Sequence, residues 1–252
     1  MLRALALAAA IVVRPAAAPA QGDSAGAPLL TSRDALLAGA FAGATIAVMP
    51  LDRTFQRRLQ LPSNQHGHFY GDAANVVRNL ADPGTVIIGA GLYLAGRGSH
   101  NETMTDLGLH ASEAIVAASA AGWLIKGVAG RARPWASPDD PHDFRFGRGF
   151  GANGDYQSFP SGHTLAAFAL ASELTAETSR RWPDHALAVG ALTYSVASLS
   201  GISRMYDNAH WASDVVLGAG LGTLAGIAVE RYQHTHPGNW VDRVLKHVSV
   251  AR

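Results

Sequence analysis

Long apolar segments, broken by glycine and proline, follow one another from Leu29 onward, and none shows sustained alternation of apolar and polar positions. Alanine-rich apolar runs of this kind favour helices over strands. The predicted helices cover residues 34–49, 72–80, 84–95, 106–127, a segment from 165 onward, 186–202 and 215–229. Pro50 is expected to end the first of them. We therefore predict an all-α protein, a single helical-bundle domain of about six core helices over residues 34–252.

The N-terminus has a different pattern, with a short positive start, a ten-residue apolar run at 4–13 and a small-x-small cleavage site ending at Ala20. The apolar run is shorter than the ~20 residues that a bilayer-spanning helix needs. Residues 1–20 are therefore predicted to be a signal peptide, followed by a flexible segment at 21–33. Because Arg14 directly follows the apolar run, an uncleaved anchor remains an alternative. Either interpretation implies an exported protein, periplasmic or secreted.

Composition narrows the functional class. The 252 residues are 48% hydrophobic, with 20 basic and 19 acidic side chains, a formal net charge of +1 and no cysteine. Without a basic surplus, nothing favours binding to nucleic acid. Without cysteine, disulfides and thiolate metal sites are excluded.

The first segment with candidate chemistry is SRMYDNAHWASD, residues 203–214. If His210 begins a helix, Asp214 lies four residues later on the same face, within reach of the imidazole. A carboxylate on one ring nitrogen fixes the tautomer and leaves the other nitrogen free to attack an electrophile. Arg204 offers a planar fork of donors that suits phosphate oxygens. The alternative is a buried histidine that merely hydrogen-bonds a nearby acid.

The second segment is FPSGHT, residues 159–164, in which Pro160 and Gly162 predict a tight turn. An apolar run follows directly, so the turn is expected to open a helix. Backbone N–H groups at a helix N-terminus form a natural anion site. Ser161 and His163 add polar side chains beside it, which makes residues 160–164 a candidate active-site segment.

The third segment is KGVAGRARP, residues 126–134, where a lysine precedes an Arg-Pro pair by seven residues. Pro134 is expected to stop the helix and to leave Lys126 and Arg133 near its exit. The only other lysine in the chain is Lys246. Because nearly all other basic residues are arginines, the lysine at position 126 is weak evidence for a specific role there.

In order, the three segments give KxxxxxxRP, PSGH and SRxxxxxHxxxD. This pattern resembles the type-2 phosphatidic acid phosphatase and vanadium haloperoxidase superfamily, which includes bacterial class A non-specific acid phosphatases and six-span lipid phosphatases. The resemblance covers roughly residues 122–222. It implies a phosphatidic acid phosphatase/haloperoxidase-like bundle and a metal-independent phosphatase that hydrolyses phosphate monoesters through a phosphohistidine. The substrate would be a phosphorylated small molecule or lipid, including lipid phosphates and isoprenoid pyrophosphates, and no cofactor is expected.

The resemblance also implies individual roles. His210 would be the nucleophile, Asp214 would hold its ring, and His163 would be the acid that protonates the leaving group. The groups expected to bind the phosphate are Lys126, Arg133, Ser161, Gly162 and Arg204.

Two other functions fit the same residues. In a vanadate-dependent haloperoxidase the site would hold vanadate as a cofactor, whereas vanadate would inhibit a phosphatase. The compact length favours the phosphatase, because the haloperoxidases that the pattern resembles are much longer chains. A non-catalytic phosphate-binding protein is the second alternative, but pure binding needs neither of the two histidines.

Association with a membrane is open at this stage. Residues 34–49 and 186–202 approach spanning length, and 215–229 is apolar with closely spaced glycines. The helix after PSGHT, however, contains Glu173 and Glu177 and then two arginines. Charges at bilayer depth cost ~2.5–3.5 kcal/mol each. This favours a soluble or peripheral exported domain, with an integral inner-membrane protein whose site faces the periplasm as the alternative.

Residues 135–157 form the longest stretch without helical periodicity, and both of its ends lie in candidate segments. Long loops inside compact domains are often functional, so this loop is expected to fold over the mouth of the site. A surface loop pinned by its own aromatic side chains is an equal alternative. Four histidines outside the candidate segments are not expected to bind metal, namely His66, His68, His234 and His236.

Overall fold

The computed structural model describes residues 28–65, 68–81, 83–151 and 153–247. The helices are α1 Ser32–Val48, α2 Asp52–Leu59, α3 Pro62–Gln65, α4 His68–Ala81, α5 Gly84–Gly98, α6 Glu102–Ala129, α7 Gly162–Arg181, α8 Ala186–Tyr206, α9 Ala212–Thr235 and α10 Trp240–His247. No strand occurs within these ranges, which confirms the predicted all-α fold. The predicted signal peptide, most of the segment 21–33, and His66 lie outside the described residues.

Helix α7 lies at the centre of the bundle, in contact with α6, α8 and α9. Its core positions are small or branched, as at Leu165 and Ala169, and they pack against Ala111, Ala114 and Ala118 of α6. Alanine at these contacts lets the helix axes approach closely. The tight packing brings the ends of α6, α7, α8 and α9 to a common region, where the candidate segments lie.

Helix α9 contacts α7 through a column of glycines at four-residue spacing, Gly218, Gly222 and Gly226. A Cβ atom added at Gly218 would lie 2.7 Å from the Ser161 carbonyl oxygen, and one at Gly226 would lie 2.8 Å from the Ala169 carbonyl oxygen. The two backbones therefore touch directly, which only glycine permits here.

One predicted helix end agrees with the structure and another differs from it. Helix α1 ends at Val48, directly before the 3₁₀ turn Met49–Leu51 that contains Pro50 and leads the chain straight into α2. Proline fits the first turn of a helix, where its missing N–H has no partner to lose. Helix α6 ends at Ala129, before the predicted stop at Pro134, because Gly130 adopts a left-handed conformation with φ of 55°. A glycine in this conformation commonly ends a helix.

Four helical segments are long and apolar enough to cross a membrane, namely Ser32–Leu59, Glu102–Ala129, Pro183–Tyr206 and Ala212–Thr235. Large apolar side chains on them face outward, since Leu36 is 76% exposed and Leu192 is 67% exposed. Glu173 and Glu177, which favoured a soluble domain at the level of sequence, are instead fully buried inside the bundle. Apolar groups outside and polar groups inside indicate that the protein is associated with a membrane.

Candidate active site

The three segments predicted from the sequence meet at one end of the bundle. The Ser161 amide, just before α7, donates to the carbonyl of Asp214 in the first turn of α9 at 3.0 Å. Lys126, near the end of α6, donates from Nζ to the Pro160 carbonyl at 2.8 Å. The amide of His210 donates to the carbonyl of Arg204, at the end of α8, at 3.3 Å. Backbone groups thus fix the helix ends that carry the candidate side chains.

The environment of His210 defines its tautomer. Nδ1 lies 2.7 Å from the carbonyl oxygen of Ser158, which can only accept, so Nδ1 carries the proton. Nε2 keeps its lone pair and lies 3.4 Å from Nη1 of Arg133. Burial lowers the pKa of His210 to about 3, an effect that Asp214 opposes and that Lys126 and Arg133 reinforce. The imidazole is therefore neutral near pH 7, as a nucleophile requires.

Asp214 does not contact His210 in the predicted way. His210 precedes α9, which begins at Ala212, so the two residues do not share a helical face. Asp214 Oδ2 lies 3.6 Å from His210 Nδ1, which is too long for a hydrogen bond. The same oxygen accepts from the Ser158 hydroxyl at 2.5 Å and from the Trp211 amide at 2.8 Å. Asp214 thus fixes Ser158, whose carbonyl orients the imidazole.

A buried arginine that the sequence analysis missed supports this arrangement. Arg131 is fully buried and donates to Asp214 Oδ1 at 2.5 Å and to Asp52 Oδ2 at 2.7 Å. Asp52 also accepts from the amide of Ser213 at 2.8 Å. The only signal in the sequence was a second arginine two residues before Arg133. Its partner Asp52 lies 79 residues away, beyond the reach of any local pattern.

Replacing Arg131 with methionine is expected to lower the free energy of unfolding by about 3–5 kcal/mol, because Asp52 and Asp214 would remain buried without their counter-ion. Thermal unfolding of the purified protein in detergent measures the effect. Arg145→Met is the matched control, since Arg145 is an exposed arginine paired with Asp143 at 3.0 Å. Exposed pairs contribute about 0–1 kcal/mol. Equal shifts in the two variants would contradict a supporting role for Arg131.

Lys126 and Arg133 are held mainly by backbone carbonyls. Besides Pro160, the Lys126 ammonium donates to the Gln157 carbonyl at 2.7 Å. Arg133 donates from Nε to the Gly154 carbonyl at 3.0 Å. Carbonyls orient these side chains without supplying a counter-ion, so no carboxylate competes there with an anion.

Arg204 is the third cation of the site. Its Nη1 donates to Asp207 at 2.8 Å, three residues further along the chain. Burial lowers the pKa of Arg133 to about 10, and the nearby positive charge of Arg204 contributes to this shift. Arg133 stays protonated at neutral pH in spite of it. Cations that lie this close to one another are suited to bind a dianion such as phosphate.

The turn before α7 supplies the remaining predicted residues. Ser161 is fully buried, and its hydroxyl accepts from Thr164 Oγ1 at 2.9 Å. Gly162 and His163 begin the helix and line a cavity together with Lys126. Their position at a helix N-terminus agrees with an anion-binding turn.

The cavity has a volume of about 310 Å³ and a lining of mixed chemistry. Lys126 and His163 are among its polar residues. The rest of its wall includes Val86 of α5 together with Ile115 and Trp123 of α6. Trp123 is 63% exposed on the apolar outer surface of the bundle. The wall of the cavity therefore includes candidate site residues and an exposed aromatic side chain of the outer surface.

The loop 135–157 is held by contacts of its own side chains and by one contact with the site. Arg145 and Arg148 each stack on the ring of Tyr156 at 4.7 Å, so the loop is pinned by its own aromatic side chain. At the same time, its Asp155 carbonyl accepts from the Arg133 amide at 2.8 Å. The loop thus packs directly against one of the site's cations.

Comparison with known proteins agrees with this geometry. The family model described as PAP2 superfamily matches residues 107–237, which contain all three segments. Lipid A 1-phosphatase of Porphyromonas gingivalis is 49% identical over 69 residues, covering 27% of this chain but only 15% of that protein. The crystal structure of "the first transmembrane PAP2 type phosphatidylglycerolphosphate phosphatase" from Bacillus subtilis is similar with a TM-score of 0.58 and 20% identity, covering 83% of this chain and all of that one. That likeness shows the fold. The chain belongs to the PAP2 superfamily.

Proposed function

We propose that this protein is a membrane-associated phosphatase that removes a terminal phosphate from a lipid, through a phosphohistidine and without a metal ion at the reacting centre. The observation that carries the proposal is the cavity whose wall includes Lys126, His163 and the exposed Trp123. A phosphate would lie beside Lys126 and His163, and an acyl or prenyl chain would follow the apolar part of the wall. Membership of the PAP2 superfamily supports phosphatase chemistry. Both similar proteins are named as phosphatases of a lipid.

In the first step, the phosphate replaces the contact between Arg133 Nη1 and His210 Nε2, which are 3.4 Å apart, and is held by the guanidinium beside the imidazole. The Nε2 lone pair attacks phosphorus and the bond to the ester oxygen breaks. His163 gives its proton to the departing oxygen, so the alcohol leaves neutral. The side chains of Lys126 and Arg204 stabilise the negative charge on the non-bridging oxygens in the transition state.

In the second step, His163 takes a proton from water while the water oxygen attacks the phosphohistidine. The bond between phosphorus and Nε2 breaks, inorganic phosphate forms, and His210 recovers its lone pair. The positive charge on the imidazole in the intermediate is stabilised by the Ser158 carbonyl at Nδ1 and by Asp214 at 3.6 Å. The proton that left with the alcohol has been replaced by one from water, so both histidines regain their starting protonation states.

For its location, we propose an exported, integral inner-membrane protein whose site faces the periplasm. The four apolar helical segments support insertion, and the predicted leader at 1–20 supports export. An impermeant reagent that modifies a cysteine placed at exposed Phe146, next to the site, tests this orientation in intact spheroplasts. Protection of that cysteine until the membrane is broken would contradict it.

Filling the cavity is expected to separate lipid substrates from small ones. Ser119 is exposed on α6 and lines the cavity, so Ser119→Trp narrows the path of an acyl chain. KM for a long-chain lipid phosphate in detergent micelles should rise about 10-fold, the scale of a few lost methylene contacts. KM for p-nitrophenyl phosphate should stay unchanged.

Ser195→Trp is the matched control, because Ser195 is exposed on α8 and does not line the cavity. It should leave both KM values unchanged. If Ser119→Trp raised KM equally for the two substrates, the cavity would not hold the lipid chain. If wild-type protein released no phosphate from any lipid or aryl phosphate, the proposed function itself would be wrong.

A chelator and vanadate are expected to have different effects on the rate of phosphate release. Because Lys126, Arg133 and Arg204 supply the positive charge, excess EDTA should leave phosphate release nearly intact. Orthovanadate should inhibit strongly, since it adopts the trigonal-bipyramidal geometry of the phosphoryl transition state. Initial rates with each addition test both statements. Loss of activity on chelation that a divalent ion restores at once would show that a metal takes part in the chemistry.

A further inference from the structure

A second polar cluster lies inside the bundle, away from the candidate active site. His110 of α6 and both Glu173 and Glu177 of α7 are buried, and one ligand atom from each lies within 4.8 Å of the others. His234 of α9 joins them, with Nε2 at 2.8 Å from Glu177 Oε1. His110 precedes Lys126 by 16 residues on the same helix, about 24 Å along its axis. The mechanism proposed above uses none of these four groups.

The hydrogen bonds within the cluster are incomplete. Glu177 Oε1 is shared by His234 and by His110 Nδ1, which lies 3.0 Å away, while its Oε2 accepts from Arg181 at 2.9 Å. Glu173 is fully buried, yet neither of its carboxylate oxygens has a hydrogen-bond partner among the residues that the structure describes. Its nearest ionic neighbour in the cluster is His110 Nδ1, at 3.9 Å. A buried carboxylate without a hydrogen bond or counter-ion is unfavourable, so binding of a cation at this group would be favourable.

The chemistry of the donors suits a divalent transition metal. His110, Glu173 and Glu177 offer three ligand atoms close to one another, and His234, which contacts Glu177, would bring the number to the four that Zn²⁺ takes in structural sites. The glutamates lie four residues apart on one face of α7, and the histidines come from the two helices packed against it. Inward-facing glutamates and histidines on adjacent helices build the metal sites of other helical bundles.

We propose that His110, Glu173, Glu177 and His234 form a structural binding site for a divalent transition-metal ion, with Zn²⁺ the best match to the ligand set. The ion would clamp α6, α7 and α9 together at the end of the bundle remote from the phosphate. It would stabilise the fold without touching the substrate. The site is therefore independent of the metal-free chemistry proposed above.

Direct metal analysis tests the proposal. The full-length protein is purified in detergent on a tag that lacks histidine, stripped with chelator, loaded with ZnCl₂ and desalted. We expect about one Zn²⁺ per chain by mass spectrometry of the metal, and a higher thermal midpoint than in the stripped protein. Loading with Co²⁺ instead should give the visible absorption of a tetrahedral nitrogen and oxygen site.

Glu173→Gln keeps the shape of the side chain but removes its charge, so Zn²⁺ affinity should fall at least 10-fold and the rise in midpoint should disappear. Glu102→Gln, an exposed glutamate at the start of α6, is the matched control and should bind like wild type. If Glu173→Gln does not fold, His234→Gln takes its place. A wild-type protein that retains no Zn²⁺, or a Glu173→Gln protein that retains it as tightly as wild type, would overturn the proposal. Phosphate release measured on the same samples reports separately on the proposed function.

Discussion

Replacing His210 with alanine is expected to lower kcat/KM by on the order of 10⁴-fold or more, on every phosphate ester tested. The structure gives His210 the three properties that a nucleophile needs. Its Nδ1 proton is fixed by the Ser158 carbonyl, its Nε2 lone pair faces the cations, and burial keeps the ring neutral. Water cannot replace it, because the covalent route and its positioning would both be lost. Phosphate release from lipid and aryl substrates measures the effect.

A trapping experiment separates this role from simple phosphate binding. After rapid quenching of wild-type protein with labelled substrate, an acid-labile, base-stable phosphoryl label should remain on the protein. The label should be absent from His210→Ala, while His185→Ala, an exposed histidine before α8, should behave like wild type. Unchanged turnover in His210→Ala, with its thermal midpoint preserved, would rule out the phosphohistidine route.

Removing His163 is expected to affect one class of substrate far more than another. As the acid that protonates the leaving oxygen, His163 matters most where that oxygen is a poor leaving group. His163→Ala should therefore slow the hydrolysis of alkyl phosphates, including lipid phosphates, by roughly 10²–10⁴-fold. Aryl phosphates should lose much less, because their phenolate departs without a proton. The ratio of kcat/KM values for an alkyl and an aryl substrate is the measurement.

His210→Ala is the comparison variant. It should hydrolyse neither alkyl nor aryl phosphates, so no ratio of kcat/KM values can be measured for it. In the His163 variant, slow attack by water should also let the phosphohistidine accumulate on aryl substrates. Equal losses on alkyl and aryl phosphates, with no trapped intermediate, would mean that His163 mainly binds the phosphoryl group. The roles of the two histidines would then have to be reassigned.

Local patterns predicted the parts of the site that depend on neighbours in the chain. The turn before Gly162 opens a helix as expected, because proline and glycine restrict the backbone directly. Lys126 lies near the end of α6, although Gly130 and not Pro134 terminates that helix. The family pattern identified residues that the structure brings together, but their roles remain predictions.

Contacts between distant segments could not be predicted from the sequence. Nothing near Asp52 indicates that it pairs with Arg131, and nothing near His210 indicates that a backbone carbonyl, not Asp214, accepts its Nδ1 proton. His234 was set aside because it has no neighbouring ligand in the sequence, yet its partner Glu177 is 57 residues away. Burial of such partners is decided only when the helices pack.

Because burial cannot be read from the sequence, the sequence alone favoured a soluble or peripheral domain. Charged residues on the helix after PSGHT were taken as a cost, on the assumption that they would face lipid. In the structure, Glu173 and Glu177 point into the bundle, and Arg181 pairs with Glu177 at 2.9 Å. The number of charges on a helix therefore says less about insertion than the face on which they lie.

The glycine column of α9 restricts how this chain can evolve. A single methyl group at Gly222 would collide with the Leu165 carbonyl, so even alanine would push α9 away from α7. The displacement would reach the hydrogen bond between Ser161 and Asp214, where the two helices begin. Gly226 lies 12 residues beyond Asp214, about 18 Å along the helix axis, and is subject to the same restriction. Substitution is thus excluded at three successive positions of α9 spaced four residues apart, and a survey of natural or laboratory mutants would mistake these packing glycines for catalytic residues.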